Sequence, residues 1–89
     1  MRAVCRIHFG VNDQNIYILN EEDDIVNTYK VKIFNLPEFF SKLEIEEAEL
    51  MGPFSFCMKI GELANKRRQL MYENLTPIKF IYTKEGAKE

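Results

Sequence analysis

The sequence predicts a mixed α/β domain: a three-stranded antiparallel meander, a helix, a short strand, a long helix and a final strand. Three observations lead there. Residues 3–34 hold three β-patterned runs separated by short polar breaks. Residues 55–74 carry apolar positions at helical spacing. After Pro77 comes a mostly apolar run, Ile78, Lys79, Phe80, Ile81 and Tyr82. A helix feeding such a strand is half of a parallel β-α-β unit. A chain of 89 residues makes one domain, 1–89, in which the polar residues 84–89 read as a frayed tail.

In residues 3–9, Cys5, Ile7 and Phe9 alternate with Val4, Arg6 and His8, the period of a strand with one apolar face. Gly, Asn and Asp in 10–15 supply turn chemistry. Residues 16–19 form a second strand, and 20–24 a polar break. Residues 25–34 form a third, with Tyr29, Val31 and Ile33 on one face and Lys30 and Lys32 on the other. Pro37 and Glu38 then suit the first turn of a helix, where a missing N–H is harmless and an acid meets the positive end of the dipole.

The next stretch admits two readings. Leu36, Phe40, Leu43, Glu47 and Leu50 fall at helical spacing, and Gly52-Pro53 would end one helix over 37–51. The sheet would then have four strands under a helical hairpin, an α+β fold. Alternatively the helix covers 37–43, and 48–51 is a short inner strand parallel to the first, with Leu50 facing one layer and Glu49 and Met51 the other. Beyond it, Ser55 suits an N-cap, and Phe56, Ile60, Leu63, Ala64 and Met71 mark the buried face of the long helix. Gly61 in mid-helix implies close packing against the sheet.

Composition narrows the function. Apolar residues at 46% exclude a disordered chain, and seven Phe with four Tyr are expected to supply most of the core volume. A net charge of −2 lacks the footprint of a nucleic-acid-binding domain, although a local basic patch can still exist. No apolar run is long enough to span a bilayer. Arg2 directly after Met1 does not resemble a signal peptide, so an intracellular, cytoplasmic protein with two buried thiols, Cys5 and Cys57, is expected. Residues 10–15 hold one Gly, which excludes a P-loop, and no cofactor is expected.

With the inner strand, the order β-β-β-α-β-α-β resembles the RNase H-like fold of ribonuclease H, Holliday-junction resolvases and actin-like ATPases. Ile7-His8-Phe9-Gly10-Val11-Asn12 is similar to the first strand and turn of the resolvases. The segment from Glu49 through Gly52 to Ser55 is similar to the end of their fourth strand, and Ile60-Gly61-Glu62-Leu63 to a helix motif there. The family holds divalent metals on carboxylates to hydrolyse phosphodiesters. Here His8 stands where the resemblance expects the first-strand Asp. Met51 stands where it expects the fourth-strand Glu, with Glu49 two residues earlier on the same strand face. The later acidic residues of the family lie in a helix beyond the last strand read here. The resemblance therefore implies a largely missing nuclease centre, its degenerate remnant His8, Asp13 and Glu49.

Four groups of residues are candidates. His8 is the only His, so it cannot join a His/Cys metal site. As a strand residue beside the Gly10 turn it could act as a proton donor or ligand contact. Glu21, Glu22, Asp23 and Asp24 form an acidic turn, ordinarily a solvated loop and otherwise a contact for a basic partner; it lacks the Gly and trailing Glu of an EF-hand. Lys59, Lys66, Arg67 and Arg68 on the long helix offer a small patch for phosphates or acids. Cys57 near a helix start lacks a catalytic partner.

No convergent catalytic set and no metal-ligand set emerges. The expectation is a non-catalytic interaction protein, an inhibitor or accessory factor that binds a protein partner. The alternatives are a nucleic-acid-binding module related to RNase H-like nucleases, and an incomplete metal-dependent nuclease using Glu49 and Asp13. Open sheet edges and abundant aromatics also allow a homodimer.

Overall fold

The computed structural model describes residues 1–83; the expected tail, 84–89, lies outside them. Five strands form one mixed sheet in the order β3-β2-β1-β4-β5: β1 Arg2–Arg6, β2 Asp13–Leu19, β3 Ile25–Lys32, β4 Glu47–Met51 and β5 Lys79–Thr83. The first three pair antiparallel, while β4 lies parallel to both β1 and β5. The crossovers carry α1, Leu36–Ser41, and α2, Phe54–Met71.

The four-stranded alternative with a helix over 37–51 does not form. Glu47–Met51 is a strand, and Ala48 and Leu50 on it are completely buried. The helix preference of Glu44, Glu46 and Glu47 loses to two hydrogen-bonded ladders and to burial of that apolar pair. Glu49 and Met51 turn to the other face, half-exposed.

Both helices pack on a single face of the sheet. Phe39 of α1 meets Tyr29 of β3 edge-on at 5.1 Å between ring centroids, and Phe40 meets Phe80 of β5 at 5.8 Å. Beneath them, Ala3, Cys5, Ile16, Ile18, Ala48 and Leu50 close the core. The alternation of each strand sends its polar residues to the opposite face, where no described helix lies.

Several boundaries differ from the sequence reading. β1 ends at Arg6, although Ile7 N–H still donates to Met51 O at 2.8 Å. Phe9 leaves the sheet face and lies edge-on against Phe56. β3 ends at Lys32, because Ile33–Asn35 winds into a 3-10 turn whose Ile33 N–H reaches Asn12 O at 2.7 Å. α1 stops at Ser41, and Lys42 and Leu43 close its last turn with i→i−3 bonds. α2 starts one residue before Ser55, with Pro53 at the N-cap and no side-chain cap.

The buried stripe of α2 is also phased differently. It runs Cys57, Ile60, Gly61, Ala64 and Arg68, leaving Leu63 and Met71 exposed. The small residues set this phase, because they let the helix axis approach β5. A Cβ on Gly61 would come within 3.0 Å of Phe80 Cγ and closer still to the Tyr82 hydroxyl. Gly52, between β4 and α2, has φ 148°, a conformation side-chain-bearing residues rarely adopt, and a Cβ there would press on Ile7 Cβ at 3.2 Å.

Candidate functional site on the open face of the sheet

The strand register builds the uncovered face row by row. Tyr17, Val4, Glu49 and Ile81 stand side by side on β2, β1, β4 and β5. In the next row Arg6 pairs with Met51, and Met51 with Thr83. In the row before, Leu19, Arg2, Glu47 and Lys79 are neighbours. Val4, Tyr17 and Met51 therefore form an apolar cluster inside a charged border, and Ile81 stands apart from it across Glu49. Tyr17 and Ile81 are 36% and 37% exposed, enough to offer area to a partner while each is half-packed on its neighbours.

At one end of this face is a hollow of about 260 Å³ lined by Val4, Arg6, His8, Asn15, Tyr17 and Met51. Buried Gln14 shapes its rim. Its Oε1 accepts from His8 N–H at 2.8 Å, and its Nε2 donates to His8 O at 2.9 Å and Val11 O at 2.8 Å. Gln14 thereby supplies the hydrogen bonds that the turn after β1 cannot make within itself. The sequence hid this role, because residues 10–15 read as a polar turn, whereas Gln14 belongs to β2 and its burial is visible only in three dimensions.

The degenerate centre is not gathered together. Glu49 is level with Val4, whereas His8 lies four residues further along, roughly 13 Å of extended strand. Met51 lies on β4 between these two levels. Glu49 is tied down by Thr83 Oγ1, which donates to it at 2.8 Å, and by Arg2 at 3.7 Å. Asp13 opens β2, four residues from Tyr17 and so away from Glu49's row, and pairs with Lys32 at 4.0 Å. Among the described residues no three His, Cys, Asp or Glu side chains come together as a metal site.

The acidic turn is exposed, and its backbone is internally satisfied. Asn20 Oδ1 accepts from the N–H groups of Glu22 and Asp24, and Asp23 takes φ 66°. Asp23 also pairs with Arg2 at 3.1 Å, linking the turn to β1.

The basic patch of four does not exist as a surface. Lys59, Lys66 and Arg67 are exposed, but Arg68 is 2% exposed and points inward. Its Nε donates to Thr76 O at 2.5 Å, and its guanidinium donates to Leu43 O at 2.6 Å, Ser41 O at 3.2 Å and Ile45 O at 3.5 Å. Burial lowers its pKa, and Glu44 partly opposes that. The five donors of guanidinium suit this task, since the loops before β4 and β5 leave carbonyls unpaired. A tandem of basic residues gave no sign of it; the helical phase shared with Cys57, Gly61 and Ala64 is the signal that could have.

Cys5 and Cys57 are both free and buried. Burial, followed by the neighbouring Cys57, pushes the Cys5 thiol up to about 12. Burial also raises Cys57. Neither is a nucleophile in this state. Among the described residues no helix is long and apolar enough to cross a membrane. No protein-family model, curated protein or solved structure matches the chain.

Proposed function

We propose that this chain is a non-catalytic binding module that docks a protein partner on the helix-free face of its sheet. One observation carries the reading: Tyr17, Val4 and Met51 form an apolar cluster across three strands, with Ile81 beyond Glu49 on the fourth, bordered by Arg2, Lys79, Glu47 and Thr83. Sheets with parallel inner strands ordinarily have both faces covered. An apolar centre with a polar rim is the anatomy of an interface. Glu49 tied to Arg2 and Thr83 supports a role in holding strands together.

The test is affinity capture followed by calorimetry with the purified partner. Tyr17→Asp combined with Ile81→Asp is expected to weaken binding at least about tenfold, a cost of about 1.4 kcal/mol. Retained affinity in that double variant, or turnover abolished by one substitution, would overturn the proposal.

A second reading is a nucleic-acid module related to the RNase H-like nucleases. Its support is the sheet order, with β1 between antiparallel β2 and parallel β4, and the hollow where Tyr17 and His8 stand beside Arg6 and Asn15. Aromatic rings beside hydrogen-bonding groups suit an unstacked base. Binding to single-stranded DNA or RNA that falls steeply with salt and is lost in Tyr17→Ala would favour this reading over the first.

A further inference from the structure

α2 carries a second stripe, away from the core. Lys59, Leu63, Lys66, Arg67, Leu70 and Met71 follow one another at spacings of i+4, i+7, i+8, i+11 and i+12 and share one side of the helix. Leu63, Leu70 and Met71 are 47%, 72% and 59% exposed, on a helix that buries Cys57, Ile60, Gly61, Ala64 and Arg68. Facing them are Pro37 and Phe34, the latter 87% exposed on its 3-10 turn. Between these walls runs a groove of about 470 Å³, with Lys66 and Arg67 in its middle and Glu38 as its acidic residue.

Exposure of a single Leu or Phe needs no explanation, but four large apolar side chains lining one groove do. Lys59, Lys66 and Arg67 make no ion pair among the described residues. The groove is apolar at its ends and cationic in its middle, and the stripe from Lys59 to Met71 is roughly 18 Å long, about three helical turns.

We propose that this groove docks an acidic amphipathic helix of a partner protein. Its apolar residues at i, i+3 or i+4 and i+7 would seat against Phe34, Leu63 and Leu70, with flanking Asp or Glu beside Lys66 and Arg67. The cations then decide which helix binds, because a basic helix of the same apolar pattern meets like charge. α2 lies on the far side of the sheet from the open face, so this surface is separate and stands whether or not that face binds anything.

Fluorescence anisotropy tests it with two synthetic probes. One is a labelled amphipathic peptide of about 18 residues with Leu on one face and Glu on the other; the second carries Lys for each Glu. The full chain is expected to bind the Glu peptide at roughly ten micromolar, more weakly as salt rises, and the Lys peptide at least about tenfold more weakly. Leu70→Asp is expected to lose at least about tenfold, and Lys66→Glu with Arg67→Glu to reverse the preference between peptides. All three positions are exposed, so unchanged circular dichroism and melting should accompany these losses. Equal binding of both peptides, no binding, or an unchanged affinity in Leu70→Asp would overturn the proposal. So would sedimentation showing a dimer of the chain that Leu70→Asp dissociates, which would assign the groove to a second copy.

Discussion

Ala3, Cys5 and Leu50 on one face of the sheet, and Arg2, Val4 and Glu49 on the other, occupy the same two strands one residue out of phase. The first set is wholly buried beneath α1 and α2. The second is half-exposed and held by pairs such as Arg2 with Glu49 and Thr83 with Glu49. Inner strands of a parallel arrangement are ordinarily apolar throughout. Here β4 alternates instead, because only one of its faces has a roof. The comparison separates residues that hold the fold from residues left accessible on the open face, and Glu49 belongs to neither extreme: it is a strand tie on the accessible side.

The buried side should break first and hardest. Arg68→Leu leaves the carbonyls of Ser41, Leu43, Ile45 and Thr76 without their donors. It should cost about 3 kcal/mol or more in urea unfolding, since each buried carbonyl left without a donor costs about 1–3 kcal/mol. Arg68→Lys should recover only part of that, since an ammonium cannot fork to several carbonyls.

A pH titration reaches the same layer. The Cys5 thiol is pushed to about 12 in the folded chain against an ordinary 9.0, so its contribution is whole below pH 9. Above that the unfolded thiol ionises first, and stability should fall by up to about 1.4 kcal/mol per pH unit until the folded thiol also ionises. Cys5→Ala, although less stable at neutral pH, should show a shallower decline over that window. An identical slope in both proteins would remove the thiol from the account.

At the boundary between the faces, Gln14→Glu keeps the acceptor for His8 N–H but loses the donor to His8 O and Val11 O. A loss of about 1–3 kcal/mol is expected, with faster amide exchange concentrated in residues 8–12. Smallest of all, Ile81→Thr on the open face should change stability by under about 0.5 kcal/mol in the isolated chain. If Ile81→Thr proved as costly as Leu50→Ala, expected at about 2–5 kcal/mol, the distinction between the faces would collapse.

Much of the fold was legible residue by residue. Period two marked β1 and β3, the apolar run 16–19 marked β2 although the strand begins at Asp13, and helical spacing with a breaker at each end marked α2. Gly61 pointed to close helix–sheet approach, and the structure has Phe80 and Tyr82 there. These signals are local: a strand is written in positions i and i+2, and a helix in i and i+4. The nature of residues 48–51 was not local. Glu44, Glu46 and Glu47 favour helix, and the strand exists because β1 and β5 stand ready on either side of it. Arg68 is the sharpest instance. Its neighbours in sequence are solvated cations, and only the arrival of Leu43, 25 positions away, and of Ile45 and Thr76 makes a buried site for it. The open face and the α2 groove are of this second kind. Which side of a sheet two crossovers cover, and which stripe of a helix that leaves in water, depends on how whole elements pack, and no window of neighbouring residues contains that choice.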